Sequence, residues 1–312
     1  MSEARRIDVH HHPSPPSYLA TRGGRDYAYP AQQGWSVQRS LEDMAKGGVA
    51  TAMLSLPHAA QIWPQDRAEA RGLAREWNEF MAKLALDHPG RFGVFAALPV
   101  LDIDGSLAEV AYAMDTLKAD GVCLMTNIGD RWLGDPHYHP LFEELNRRKA
   151  VVYTHPVAPD CCRGILPELN DATIEYGTDT TRAIGKLLFT GSAGRFPDIR
   201  FIFSHAGGTL PFLAERFFNV VAWNRRKERD VVPDVRAALN RLYYDTAQAA
   251  HLHAMASFRR LVSTSQLLFG TDFPYRTAEE HVRGLCGCGF SAEEMAAIDY
   301  GNAERLLPRL AR

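Results

Sequence analysis

The stretch RIDVHHHPSPP, residues 6–16, determines how the rest of the chain is interpreted. Its first half alternates like a short strand, and the prolines that follow end the strand because proline has no backbone N–H to donate. Alternate side chains of a strand share a face, so His10 and His12 point one way and His11 points the other. A purification tag is the competing explanation, but these histidines continue a strand pattern inside the chain. We therefore expect His10 and His12 to bind one metal ion, and His11 to pack or hydrogen-bond against a helix.

Further β-branched and aromatic runs recur along the chain, with segments of helical spacing between them. Repeated β-α units in 312 residues predict an α/β protein, a closed (β/α)8 TIM barrel that forms a single domain over residues 1–312. A doubly wound open sheet is the alternative, and both folds place ligands at the carboxyl ends of strands. The long segments after strands one and five, 13–35 and 156–176, are expected to be lids. The eight expected strands are residues 5–11, 50–56, 92–98, 121–126, 151–155, 200–205, 242–246 and 267–272.

Apolar residues at three- and four-residue steps predict the helices between these strands. Leu73, Trp77 and Leu84 belong to one such stripe, which indicates a helix packed against the sheet. Ser291 and Glu294 have the spacing of a capping box, which predicts the start of another helix. These patterns place helices where a barrel requires them.

Composition and charge exclude several classes of protein. A net charge of −2 gives no broad basic surface, so we expect neither nucleic acid nor a membrane as a partner. The N-terminus has no apolar signal core, and no window approaches the ~18 apolar residues of a membrane-spanning helix, so a cytoplasmic protein is expected. Five cysteines without C-x-x-C spacing indicate reduced thiols rather than disulfides or a zinc ribbon.

Reactive side chains stand at the carboxyl ends of several predicted strands. Strand five ends in His155, strand six in His205 and strand eight in Asp272. Taken singly, each is more often an ordinary hydrogen-bonded residue, but a closed ring of strands brings these ends together. Imidazole and carboxylate groups suit zinc, manganese, iron or cobalt, and we expect zinc first with manganese as the alternative. The expected ligands of one divalent metal ion are His10, His12, His155 and Asp272. Asp245, which ends strand seven, could orient a ligand or satisfy backbone donors, and the second role is favoured.

Several stretches of the chain resemble the amidohydrolase superfamily, and within it the branch of aminocarboxymuconate-semialdehyde decarboxylase and the 6-methylsalicylate-type decarboxylases. They are DVHHH at 8–12, GVCLMTNIGDRWLGDPHYHPLFEELNRR at 121–148, THP at 154–156, FPDIRFIFSHAGGTLPFLAERF at 196–217 and LLFGTDFPYR at 267–276. The resemblance implies the same metal ligands and makes His205 the acid/base residue. Strands four and five lack the carboxylated lysine of two-metal members, which implies a mononuclear site. The resemblance also implies a homodimer.

Two reactions are open for such a site. The resemblance favours non-oxidative decarboxylation of an aromatic or unsaturated acid, of the hydroxybenzoate or aminocarboxymuconate-semialdehyde type. Here Asp272 or His205 delivers a proton to carbon. The alternative is hydrolysis of a lactone or related cyclic ester or amide by the same residues. A metal-binding protein without activity is a third possibility, because a fold alone does not establish catalysis.

A small carboxylic acid substrate calls for a cationic side chain. Arg22 and Arg25 follow strand one, Arg163 follows strand five and Arg276 follows strand eight, so all are candidates to bind the substrate carboxylate. The resemblance also implies an arginine supplied by a neighbouring subunit, near the position of Arg225. Each of these residues taken alone is more often a solvated surface arginine.

Overall fold

The structure is a computed structural model, and it describes residues 5–20, 30–57, 66–129, 131–219 and 234–311. In these residues, eight parallel strands stand side by side in chain order, which confirms the expected strand count. Two short antiparallel strands, Asn127–Ile128 and Arg131–Trp132, form a separate hairpin after the fourth. The barrel strands are β1 Arg6–His11, β2 Val49–Leu54, β3 Phe92–Ala97, β4 Gly121–Met125, β5 Val151–His155, β6 Arg200–Phe203, β7 Tyr243–Asp245 and β8 Leu267–Leu268.

Backbone hydrogen bonds between the first and last strands close the barrel. The N–H of Val9 donates to the carbonyl of Phe269 at 3.0 Å, and the N–H of Asp272 donates to the carbonyl of His10 at 2.9 Å. A doubly wound open sheet has no such contact between its two edges. The closed (β/α)8 barrel is therefore confirmed, and His10 and Asp272 are brought together by the closure itself.

Helices pack around the outside of the sheet. Trp77 and Leu84 of the expected apolar stripe are buried on the helix Arg67–Asp87, and the predicted capping box of Ser291 and Glu294 begins the helix Ala292–Ala296. The barrel helices are α1 Val37–Gly47, α2 Arg67–Asp87, α3 Ile103–Ala111, α4 His139–Arg147, α5 Glu175–Phe189, α6 Leu210–Phe218, α7 Leu252–Leu261 and α8 Ala278–Cys286. Shorter helices are Pro16–Ala20, Pro30–Gln33, Ser192–Arg195, Val235–Leu239 and Asn302–Leu306, and π-helical turns occur at Tyr112–Thr116 and Ala297–Gly301. None of the helices in the described residues is both long and apolar enough to span a membrane.

The barrel interior is filled by apolar side chains below the carboxyl ends of the strands. The Tyr153 and Phe95 rings stack with their centroids 5.4 Å apart, and the Tyr153 ring lies 5.3 Å from that of His10. The strands are buried on both faces, as a parallel sheet covered by helices requires. These packed side chains close the barrel interior from below. The histidines at the end of β1 therefore lie at the top of the barrel, where the loops after the strands meet.

His11 faces outward, as predicted. Its Nε2 atom lies 2.9 Å from the hydroxyl of Ser40 on α1, and its Nδ1 atom lies 3.2 Å from Oδ2 of Asp8. The imidazole also stacks on the ring of Phe273 at 4.6 Å between centroids. His11 therefore joins the barrel to its first barrel helix, and its side chain is not among those that cluster at the barrel mouth.

Candidate metal centre

Four buried side chains from β1, β5 and the segment after β8 meet at the top of the barrel. They are the expected ligands His10, His12, His155 and Asp272, whose ligand atoms all lie within 4.8 Å of one another. The Nε2 atoms of His10 and His12 are 2.9 Å apart, and each is 3.2 Å from Oδ1 of Asp272. Nitrogen and oxygen atoms this close surround a space of the size that a divalent cation occupies.

Backbone carbonyls fix the orientation of two of these imidazoles. Nδ1 of His12 lies 2.8 Å from the carbonyl oxygen of Ser55, and Nδ1 of His155 lies 2.9 Å from that of Pro156. A carbonyl oxygen only accepts, so each Nδ1 atom carries the hydrogen and each Nε2 atom presents a lone pair. Both lone pairs are then available to a metal ion, which is the arrangement that metal-binding histidines adopt.

Asp245 fixes the third imidazole. Its Oδ2 atom lies 2.9 Å from Nδ1 of His10, while its Oδ1 atom accepts hydrogen bonds from the backbone N–H groups of His205 at 2.9 Å and Ala247 at 3.0 Å. Both roles considered for Asp245 are present, because the carboxylate accepts from backbone N–H groups and also orients His10. Nε2 of His10 therefore faces the same space as the Nε2 atoms of the other two imidazoles. The lone pairs of these nitrogen atoms and the Asp272 carboxylate repel one another unless a cation lies between them.

The buried carboxylates favour positive charge in this space. Burial alone lowers the pKa of His10, but Asp245 and Asp272 outweigh it and raise that pKa to about 10. Without a metal ion, a proton therefore occupies Nε2 of His10, and a metal ion displaces this proton to reach the lone pair. Burial alone raises the pKa of Asp272, yet the charge of His10 and hydrogen bonds from the imidazoles hold it well below its usual range. Asp272 is therefore an ionised carboxylate. It offers a divalent cation the charged oxygen ligand that such ions bind.

Replacing Asp245 with asparagine is expected to weaken metal binding by about 10- to 100-fold. The amide NH2 group cannot accept the Nδ1 hydrogen of His10, so the imidazole moves its hydrogen to Nε2, the ligand atom. Titration of metal-free protein against a chromophoric chelator measures the change. Asp179→Asn is the control, since Asp179 is fully buried on α5 but lies outside the cluster. Equal affinities for Asp245→Asn and the wild type would contradict this role.

His205 lies beside the four expected ligands, directly after β6. Its Nε2 atom is 3.5 Å from Oδ2 of Asp272, the oxygen that does not face His10 and His12. His205 has a left-handed φ of 55° and Ala206 has one of 52°, which few residues other than glycine adopt. This turn directs the imidazole of His205 over the barrel mouth, and such strained backbone is concentrated at functional sites.

A cavity of about 950 Å³ opens above the cluster and is bordered by His155, His205 and Asp272. The segment after β5, which the sequence predicts to be a lid, contributes Ile174 and Tyr176 to its wall. Its size lies within the range of small-molecule sites. A ligand in this cavity would contact the candidate metal centre and the imidazole of His205 together.

The candidate substrate arginines are not brought to this cavity in the described residues. Arg163 forms an ion pair with Asp160 at 3.1 Å, and Nε of Arg276 lies 3.2 Å from Glu280. Neither borders the cavity. The remaining candidates, Arg22, Arg25 and Arg225, lie outside the described residues. The residue that binds the substrate carboxylate stays a prediction.

Sequence reasoning missed several residues of the cavity wall, among them Gln248 and Tyr275. Gln248 donates a hydrogen bond from Nε2 to Oδ2 of Asp272 at 2.8 Å, and Tyr275 lies with its ring 6.0 Å from that of His12. Both follow strand ends closely, and both border the cavity. Position after a strand is the signal that finds them in a barrel, whereas residue type alone does not.

Comparison with known proteins gives consistent matches over nearly the whole chain. The family profile described as Amidohydrolase matches residues 7–309. Decarboxylase yanB of Aspergillus niger is 36% identical over 324 residues, which cover 97% of this chain and 88% of the relative. The 6-methylsalicylic acid decarboxylase acuB of Aspergillus aculeatus is 34% identical and is matched over 98% of this chain and 97% of its own length.

A solved structure supports the same architecture. The dihydroxybenzoic acid decarboxylase from Polaromonas sp. JS666, with bound manganese and the inhibitor 2-nitroresorcinol, superposes with a TM-score of 0.87. The match covers 99% of this chain and 98% of that chain at 20% identity. At this level of identity the similarity concerns the fold alone. In this fold the active site lies at the carboxyl ends of the strands.

Proposed function

Because the chain belongs to the amidohydrolase family, we propose that it is a metal-dependent decarboxylase whose substrate is an ortho-hydroxybenzoate of the 6-methylsalicylate type. Two relatives more than 30% identical are named decarboxylases, one of them for 6-methylsalicylic acid. The observation that carries the proposal is the convergence of three imidazoles and one carboxylate beneath a cavity that His205 also borders. This geometry joins a cation site to a proton donor, and a decarboxylation needs both.

The residues present fit one divalent ion. His10, His12, His155 and Asp272 would hold it, since their lone pairs and negative charge already converge. When bound, the ion supplies electrostatic attraction for the carboxylate and neighbouring hydroxyl oxygens of the substrate. Zinc is our first choice because imidazole ligands predominate. Manganese is the alternative, supported by its presence in the dihydroxybenzoic acid decarboxylase structure.

Decarboxylation breaks the bond between the ring carbon and the carboxylate and releases carbon dioxide, and the ring carbon, which keeps the electron pair of that bond, takes up a proton. Two side chains at the cavity wall can accept and donate that proton. They are His205 and Asp272, whose Nε2 and Oδ2 atoms are 3.5 Å apart. Asp272 is held ionised by its neighbours, so it donates only after it has accepted a proton. His205, which can carry a proton on Nε2, is therefore proposed as the acid/base residue of the cavity.

The product formed decides between the proposed reaction and hydrolysis. We expect the metal-loaded protein to release carbon dioxide from 6-methylsalicylate, measured as headspace gas together with the phenol product. The control substrate is 2-methylbenzoate, which keeps the ring, the methyl group and the carboxylate but lacks the hydroxyl group, and we expect no release from it. Opening of lactones without carbon dioxide release from any hydroxybenzoate would replace this proposal with the hydrolase alternative.

Three features expected from the sequence stay predictions. They are a cytoplasmic location, a homodimer in which one subunit supplies an arginine near position 225, and a single domain over residues 1–312. The substrate is proposed as a small carboxylic acid, since relatives of this chain are named for such acids. Size-exclusion chromatography with light scattering tests the dimer directly.

A further inference from the structure

Gln248 contacts one particular oxygen of Asp272. The amide Nε2 of Gln248 donates to Oδ2 of Asp272 at 2.8 Å, and the same oxygen lies 3.5 Å from Nε2 of His205. The other oxygen, Oδ1, lies 3.2 Å from Nε2 of both His10 and His12. The two oxygens of one carboxylate therefore face different groups, and Gln248 contacts the oxygen on the cavity side.

The backbone of Gln248 is held in an unfavourable conformation. Its φ of 55° is left-handed, a region that glutamine rarely adopts. A buried histidine holds it there, because the N–H of Gln248 donates to Nε2 of His281 at 3.1 Å. Nδ1 of His281 in turn lies 3.0 Å from the carbonyl oxygen of Thr277, which fixes the lone pair on Nε2. Glycine would adopt this backbone without strain. A strained glutamine at this position therefore points to a role for its amide side chain.

We propose that Gln248 is a positioning residue that sets the rotation of the Asp272 carboxylate, with Oδ1 toward the ligand histidines and Oδ2 toward His205 and the cavity. The terminal torsion of an aspartate is broad and nearly two-fold, so the carboxylate needs a fixed donor to keep its oxygens distinct. The geometric part stands on these contacts alone. Its catalytic consequence rests on the proposed function, because a rotated carboxylate no longer presents Oδ2 to the proton carrier.

Two variants of Gln248 test the amide separately from the backbone. Gln248→Gly removes both the amide and the strain, whereas Gln248→Met keeps the length and the strained backbone but has no donor. We expect both to lower kcat at saturating manganese by about 10- to 100-fold with KM changed less than threefold, and to weaken manganese binding to the metal-free protein. Gln248→Gly is expected to melt at or above the wild-type temperature.

Lys149→Gly is the matched control for the backbone change. Lys149 is exposed, has a left-handed φ of 51° and precedes β5 at the opposite end of the barrel from the metal centre. It should gain thermal stability without any change in kcat or manganese affinity. Wild-type kcat and manganese affinity in Gln248→Gly would overturn the inference, as would a loss confined to Gln248→Met. If the wild type decarboxylates no acid but both Gln248 variants bind manganese more weakly, the proposed reaction fails and the positioning role stands.

Discussion

Replacing His205 with asparagine is expected to lower kcat by about 10²- to 10⁴-fold while the protein still binds one metal ion per chain. His205 lies 3.5 Å from Asp272 at the cavity wall but is not one of the four clustered ligands. Asparagine cannot carry a proton between acid and base, so the chemical step loses its proton carrier. It does tolerate the left-handed backbone found at this position, so the fold should survive.

Carbon dioxide release under saturating substrate and elemental analysis of the same sample measure these two effects together. His137→Asn is the control, because His137 is exposed beside α4 and borders no part of the cavity. It should retain wild-type turnover and metal content. A His205→Asn variant with near-normal kcat would show that another group delivers the proton. Loss of metal in that variant would instead place His205 among the ligands.

Replacing His12 with asparagine is expected to abolish both metal binding and turnover, whereas the same change at His11 leaves the metal in place. The two histidines are neighbours in sequence, at the end of β1 and directly after it, and their side chains point to opposite sides of the sheet. Nε2 of His12 lies 3.2 Å from Asp272, and its removal costs more metal affinity than the roughly 10- to 100-fold expected for an outer partner such as Asp245.

The His11→Asn variant should lose stability instead of metal. The imidazole of His11 contacts Ser40 and Asp8 inside the protein, and leaving those partners unsatisfied costs about 1–3 kcal/mol of the free energy of unfolding. Denaturant unfolding and metal analysis of both variants measure the contrast. A His11 variant without metal, or a His12 variant that keeps it, would contradict the assignment of the two faces.

Strand alternation made the central part of the site predictable. His10 and His12 follow from two-residue periodicity, and the closed ring of eight strands then brings the end of β5, across the barrel, and the end of β8, beside β1, to the same mouth. The capping box of Ser291 and Glu294 is similarly local, since both groups needed for the prediction lie within one helical turn. In each case a short pattern determines which side chains share a face.

The parts that sequence reasoning missed or left open depend on contacts between distant segments. Both roles were open for Asp245, because an aspartate at a strand end is compatible with a purely backbone role and its partner His10 is 235 residues away. Gln248 contacts Asp272 from a left-handed backbone conformation, and no sequence pattern predicts that conformation for a glutamine. Arg163 and Arg276 are near strand ends in sequence but pair with local carboxylates, so proximity along the chain did not bring them to the cavity.

Anomalous diffraction from crystals of the protein, recorded at the absorption edge of the metal found in it, tests the central claim most directly. We predict a single peak per chain at about 2.0–2.2 Å from Nε2 of His10, His12 and His155 and from Oδ1 of Asp272. Crystals soaked in zinc or manganese that show no peak among these four side chains, or show two, would contradict a mononuclear centre.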